Sequence, residues 1–298
     1  MSLNRLLNDT LRMPLEQRVS TFLGRRWQVQ RAQDMHDAAS HPAAVLSDGT
    51  YAVFVKLAEG SLASDHTSRE LAGLACLTER AGVLTPRAIG AVAVDDAVLL
   101  ILEAVVPVPR RRQEWRQMGQ ALARIHRVKG ERCGFEGHNY WGSLRQDNTP
   151  HRHWVDFLRK RRLAPRLQAA VAGGHLPLEV AGRVERLSER LAELCGPPVA
   201  PALLHGDAHH NNFLSTAQGP VLIDPAVYYG HPEMDLAFVD FFAPVPPAFF
   251  AGYREIAPID GGFAERRDLW RIPAWLAMVE VDGPKHVAEL LAALRRYV

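Results

Sequence analysis

The chain has 298 residues, 47% of them hydrophobic and 23% charged, which suffices for one large domain or two smaller ones and excludes a disordered or fibrous chain. Lys and Arg number 35 against 33 Asp and Glu, a formal net charge of +2, so no broad electrostatic drive toward nucleic acid or anionic lipid is present. Cys76, Cys133 and Cys195 stand far apart with no CxxC pair, which argues against a disulfide framework or a thiolate zinc site and for a cytoplasmic setting.

Residues 1–17 carry charges every few positions, where an export signal would need an uninterrupted apolar run. The most apolar stretch, residues 97–108, is broken by Glu103 and Pro107, far short of the ~20 residues that span a bilayer. Neither export nor a membrane span is expected. Strands are expected over residues 27–32 and 43–47, then after the SDGT turn over 51–57, where β-branched and aromatic residues alternate. A helix follows from about Ser64, capped by Ser64 or Asp65, with Leu71, Leu74 and Leu77 on one face and Gly82 as its stop. Residues 87–94 and 97–102 read as a hairpin turning at Asp95 and Asp96. The order is βββαββ.

Beyond Pro107 the pattern becomes helical. Trp115, Met118, Leu122 and Ile125 recur at helical spacing, and a second run covers Val180, Val184, Leu187, Leu191 and Leu194. Residues 201–226 read as two brief strands holding polar loops, and the chain from about Glu233 is mostly helical. The basic runs at 110–112 and 159–162 are short enough to be solvated faces, and Trp154, Phe157, Trp270 and Trp275 fall at core spacing.

The polar loops carry the chemistry. HGDAHHNN at 205–212 and VLIDPA at 221–226 place Asp207 and Asn212 with four residues between them and Asp224 seventeen positions after Asp207, a spacing that kinases use for a catalytic loop and a metal-binding turn. A carboxylate can accept the proton of an attacking hydroxyl, and an amide and a carboxylate oxygen suit Mg2+. Singly, each is an ordinary loop residue. Lys56 at the end of VFVK and Glu70 in the following helix add the positions of a phosphate-binding lysine and its orienting partner. His205, His209 and His210 beside Asp207 leave a metal-dependent hydrolase as a rival, but Gly206 opposes a helix that would present two of them on one face, and no second cluster follows.

With these residues in order, the chain resembles the fructosamine (ketosamine) kinase family, itself similar to aminoglycoside and choline phosphotransferases. The most specific stretch is DPAVYYGHPEMDLAF at 224–238, joined by CGFEGHNYWGSLRQDN at 133–148, FFAGYREIAPIDGGFAERRDLW at 249–270 and the final LLAALRRY. The resemblance implies Asp207 as catalytic base, Asn212 and Asp224 as magnesium ligands, Lys56 on the ATP phosphates and Glu70 as its partner. It implies a hinge at 100–106 whose main chain near Glu103 and Val105 pairs with adenine, and Asp235 as a support of the loop; His205, by its place in the loop, is expected to be a packed residue steadying it. His209, Tyr229 and His231 are the substrate-side expectations.

Two departures stand out. The family commonly has HGDLW, with a glycine before the Asn, where this chain has Ala208, His209 and Asn211, and the loop at residues 32–42 that should cover the phosphates has no glycine, leaving Ala38, Ala39 and Ser40 as its compact residues. The expected fold is therefore α+β and protein-kinase-like: an N-lobe, residues 1–106, with a five-stranded antiparallel sheet and one helix, and a larger helical C-lobe, residues 107–298. The expected function is phosphoryl transfer from ATP to a sugar hydroxyl of a small sugar-amine, with Mg2+ and without nucleic-acid or membrane partners. An aminoglycoside or amino-alcohol acceptor is the nearest alternative, and an impaired nucleotide-binding protein is the alternative of another class.

Overall fold

Two helices precede the first strand. In the computed structural model, which describes residues 2–35 and 41–298, they are α1 (Ser2–Leu6) and α2 (Asp9–Leu23). The Asn8 side chain caps α2 by accepting from the Leu11 amide at 2.9 Å. Leu11, Leu15 and Val19, spaced by four, pack with Trp27, Leu46, Val53 and Ile101 in one core. The order βββαββ thus lacked its first two elements. Pro14 inside α2 weakens the local helical signal, and burial against the sheet supplies the stability that propensity does not.

The sheet itself comprises β1 (Arg31–Asp34), β2 (Ala43–Ser47), β3 (Ala52–Glu59), β4 (Ala88–Val94) and β5 (Ala97–Glu103), all antiparallel in the spatial order β1-β2-β3-β5-β4. The first strand starts later than expected, because Trp27 is buried at the end of α2 and donates its indole N–H to the Tyr51 carbonyl at 3.1 Å. The glycine-free segment with Ala38, Ala39 and Ser40 lies outside the described residues. Along β3, Val53, Val55 and Leu57 face the α2 core, so the two-residue period turns Lys56 to the opposite face. That face is covered by α3 (Ala63–Ala81), whose Leu74 packs with Leu100 and Leu102. Neither Ser64 nor Asp65 caps α3: Leu62 occupies the cap position with no side-chain bond, and Asp65 is engaged elsewhere.

The helical half begins with α4 (Arg112–Arg127), whose Met118, Leu122 and Ile125 are fully buried. A hairpin of β6 (Asn139–Trp141) and β7 (Leu144–Gln146) follows, then α5 (Trp154–Phe157), a π-helical turn (Leu158–Leu163) and α6 (Ala164–Ala172). The run predicted as one helix is two, α7 (Leu178–Glu189) and α8 (Leu191–Leu194), broken at Arg190. Next come β8 (Ala202–Leu204), β9 (Phe213–Thr216), β10 (Gly219–Leu222), β11 (Tyr228–Gly230) and α9 (Glu233–Phe238), then α10 (Pro247–Arg254), α11 (Phe263–Asp282) and α12 (Val287–Leu294). Helices α4 and α10 cross with their backbones in contact: a Cβ on Gly119 would strike the Phe249 carbonyl, and one on Gly252 the Arg116 carbonyl. The basic run at 159–162 is not a solvated face throughout, since the π-helical turn buries Arg162 with its guanidinium over the Phe157 and Tyr228 rings.

A main-chain bond ties the halves together, Leu222 N–H donating to the Leu84 carbonyl at 2.9 Å, and Val108, just past the sheet, donates to the Ser215 carbonyl at 2.7 Å. Among the described residues, no helix is long and apolar enough to cross a membrane.

Candidate active site

The cleft between the sheet and the short strands gathers residues from distant parts of the chain. Lys56 Nζ, on the α3 face of β3, donates to Glu70 Oε2 of α3 at 2.8 Å and to Asp224 Oδ1 at 2.6 Å. Asp224 follows β10 with φ 50°, a left-handed conformation rare outside glycine but tolerated by Asp. Burial alone would discharge Lys56, yet Glu70 and Asp224 together raise its pKa above the ordinary lysine value. One ammonium serves two carboxylates, and they diverge. Burial pushes Glu70 up to about 7 against the pull of Lys56. Asp224, where burial is outweighed by the Lys56 charge, is held below the usual carboxylate range.

Asp207 sits in the loop after β8. Gly206, at φ 81°, allows the turn, and a Cβ there would collide with the Ala226 carbonyl. Beneath the turn lies Asp235 of α9, 2% exposed, accepting from the His205 amide at 2.7 Å and the Gly206 amide at 3.1 Å. His126 Nε2 lies 3.1 Å from the same carboxylate, with its Nδ1 2.8 Å from the Tyr253 hydroxyl. His205, fully buried, spans the loop: its Nε2 is 3.0 Å from the Ile223 carbonyl, and its Nδ1 accepts from the Asp207 amide at 3.3 Å. Burial keeps this ring's pKa below the ordinary histidine value.

Asn212 faces Asp207, its Nδ2 donating to the Asp207 carbonyl at 2.8 Å and to Oδ2 at 3.2 Å. The other carboxylate oxygen, Oδ1, accepts the indole N–H of Trp141 at 2.6 Å. Among the described residues no cation pairs with Asp207 at close range, so burial pushes its pKa up to about 7 despite the Trp141 bond, and the Asp224 charge adds to the rise. His209 Nε2 stands 3.8 Å from Asp207 Oδ2, its ring edge-on to Phe238 and Phe242. Burial lowers its pKa to about 4, so it is neutral at pH 7.

Glu103 ends β5, its amide donating to the Arg87 carbonyl at 2.8 Å, while Val105 makes no hydrogen bond among the described residues. Tyr229 and His231 are not brought to this cluster. Tyr229 pairs in β11 and accepts from Arg80 Nη1 at 3.1 Å. His231 stacks on Trp270 with ring centroids 4.8 Å apart and accepts from the Glu233 amide. Both belong to the packing beneath β11 and α9. No group of three or more His, Cys, Asp or Glu side chains gathers as a metal cluster among the described residues. The functional contact that sequence reasoning missed is Trp141. Its only signal was an alternating NYW run followed by a glycine, a hairpin cue at the tip.

A five-stranded sheet with a helix bracing its central lysine, joined to a helical half that presents two carboxylates and an amide to the same cleft, is a protein-kinase-like fold. The aminoglycoside phosphotransferase APH(4)-Ia, in a ternary complex with ADP and hygromycin B, shares it: TM-score 0.62, 13% identity, 95% of this chain and 96% of that one covered. The family is narrower than the fold. The fructosamine kinase family pattern matches residues 12–298, and the chain belongs to that family and is a phosphotransferase. It is 29% identical to a probable ketoamine kinase of Vibrio cholerae, over 86% of this chain and 88% of that protein. A solved structure of a candidate fructosamine-3-kinase from Thermobifida fusca superposes with TM-score 0.83 at 28% identity, covering 95% of this chain and 97% of the other.

Proposed function

We propose that the protein is a ketosamine kinase that moves the γ-phosphoryl group of ATP, with Mg2+, to a hydroxyl on the sugar part of a sugar-amine adduct. Family membership and the name of the Vibrio cholerae relative support the acceptor class, and the ADP complex of the fold relative supports the donor. The observation that carries the reading is the 2.6 Å contact between Lys56 and Asp224, 168 positions apart in sequence. In this reading residues 1–106 form the nucleotide lobe and residues 107–298 carry the catalytic loop and acceptor site.

Asn212 and Asp224 would hold the magnesium. Their chemistry fits: the Asn212 amide is oriented through its N–H groups while its Oδ1 accepts nothing from the described protein, and Asp224 is ionised at neutral pH. Two hard oxygens suit an ion that takes its remaining ligands from water and phosphate. When bound, magnesium neutralises charge developing on the phosphates. Lys56 exchanges Asp224 for the α and β phosphates, and Glu70 keeps its ammonium aimed. Val105 leaves its main-chain N–H and C=O for the adenine edge, beside Glu103. Asp207 accepts the acceptor hydroxyl's proton as that oxygen bonds to the γ-phosphorus, while the bond to the β,γ-bridging oxygen breaks and ADP takes the electron pair. His205 and Asp235 hold the loop for this step, and His209, neutral and 3.8 Å from Asp207, faces the acceptor side.

Asp207→Asn should lower kcat by about 10²–10⁴-fold with MgATP affinity changed only a few-fold; full activity would remove Asp207 from the role. A panel of glycated amines, aminoglycosides and amino alcohols, read by ADP release, tests the acceptor class. Turnover confined to aminoglycosides or amino alcohols contradicts the ketosamine reading.

A further inference from the structure

Three consecutive residues of β6 point to three separate anchors. Asn139 Nδ2 donates to the Val227 carbonyl at 2.7 Å, the Tyr140 hydroxyl to Asp65 Oδ2 at 2.7 Å, and the Trp141 indole N–H to Asp207 Oδ1 at 2.6 Å. Strand alternation sends the Tyr140 and Trp141 side chains to opposite faces. The Tyr140 ring also lies on His66, centroids 3.5 Å apart, and Gly137 lies close against the Arg69 guanidinium, so α3 braces one side of the hairpin. The other side meets the catalytic loop, where the Trp141 ring stands edge-on to Phe238 at 5.1 Å and lines a cavity together with Gly206 and Phe238.

This placement defines which oxygen of Asp207 is available. Oδ1 is taken by a short, charge-assisted bond from a donor that can give only one proton and accept none. Among the described residues Oδ2 receives one longer hydrogen bond, 3.2 Å from Asn212 Nδ2, with His209 Nε2 standing off at 3.8 Å. We propose that Trp141 is the positioning residue of the catalytic carboxylate: its indole N–H reserves Asp207 Oδ1 and turns Oδ2 toward the acceptor hydroxyl. The assignment rests on the ketosamine kinase reading. It gives the β6–β7 hairpin a role in the chemistry, and through Tyr140 and Asp65 it connects Asp207 to the helix that carries Glu70.

Trp141→Phe keeps the ring and deletes the donor. The expected result is a kcat lower by about 10- to 100-fold, as for loss of one hydrogen bond to a charged group, with the KM for MgATP unchanged. A ¹⁵N-indole NMR spectrum supplies a readout without turnover. The Trp141 N–H resonance, assigned by its absence in Trp141→Phe, should lie downfield in the native protein, as its 2.6 Å bond to Asp207 Oδ1 requires, and move upfield in Asp207→Asn, where the acceptor is no longer a carboxylate. An indole resonance insensitive to Asp207→Asn, or a Trp141→Phe enzyme whose kcat is unchanged, overturns the assignment while leaving Asp207 as base. Full activity in Asp207→Asn overturns both.

Discussion

Two carboxylates of one cleft, Asp207 and Asp224, are held by opposite means. Asp224 belongs to a charged region: Lys56 lies 2.6 Å away and Glu70 shares the same ammonium. Asp207 belongs to a region of neutral hydrogen bonds, receiving Trp141 and Asn212 side chains and no close cation. The consequence is a difference in readiness. In the proposed reading the Lys56 ion pairs are a resting arrangement that a phosphate takes over, since each partner can exchange one charge for another. The Asp207 loop has nothing to exchange. It is held by Asp235, His205 and Gly206, which in the proposed reading leaves little rearrangement for the arrival of an acceptor.

The largest effect is expected from the neutral scaffold. Asp235→Ala strips the acceptor from two buried amides, His205 and Gly206, each costing about 1–3 kcal/mol when left unsatisfied. A Tm lower by roughly 10 °C, with loss of turnover, is the expected outcome in a thermal melt and an ADP-release assay. A melting point within a degree of the native one would break the comparison, because the loop would then not depend on its brace. Lys56→Met should act on the charged region with less damage to the fold. Glu70, already near neutrality at pH 7, can take up a proton when its cation is removed, so the stability loss should stay below the roughly 3–5 kcal/mol usual for breaking a buried pair. MgATP affinity should fall about 10- to 100-fold by calorimetry, as expected for a desolvated charge-assisted contact. A larger stability loss than in Asp235→Ala would reverse the ranking of the two regions.

Much of this is legible in the sequence. The alternating run around Lys56 and the apolar face of α3 fix which side of the sheet Lys56 and Glu70 share, and the Asp207, Asn212 and Asp224 spacing survives as two turns around β9 and β10. These features are local or carried by periodicity, so the chain states them directly. Trp141 is different: its partner lies 66 positions away, and the contact depends on the register of a short hairpin docked between α3 and α9. Arg162 was misread for a related reason, since a π-helical turn rotates it off the face that a regular helix would expose. Tyr229 and His231 sit within the most specific stretch of the family resemblance, yet their side chains are spent on Arg80 and Trp270. Proximity in sequence to the Asp224 turn does not carry a side chain into the cleft.

The smallest and most discriminating effect concerns stability against pH. Asp207 carries a pKa of about 7 in the fold against 3.8 for a free side chain, so between those values the native state holds a proton that the unfolded chain has released. Its charge therefore costs nothing below about pH 4, costs more as pH rises, and reaches its full penalty above about pH 7, on the order of 2–4 kcal/mol. Asp207→Asn removes that penalty. The variant should melt above the native protein at pH 8 by several degrees, and the gap should narrow toward pH 5. Crowding between the new amide and Asn212 Nδ2 reduces the gain equally at every pH, so the narrowing, not the absolute gap, is the diagnostic. Histidines act in the opposite sense: burial lowers His209 to about 4 and His231 to about 3, so their contribution is lost as pH falls from about 6.5 through those values. Both proteins share the His231 loss, which cancels in the difference, and the His209 loss, beside position 207, is set first by burial, which the variant keeps. An Asp207→Asn gap that stays constant from pH 8 to pH 5 would mean the carboxylate is not the strained charge of the neutral region, and the contrast with Asp224 would fail.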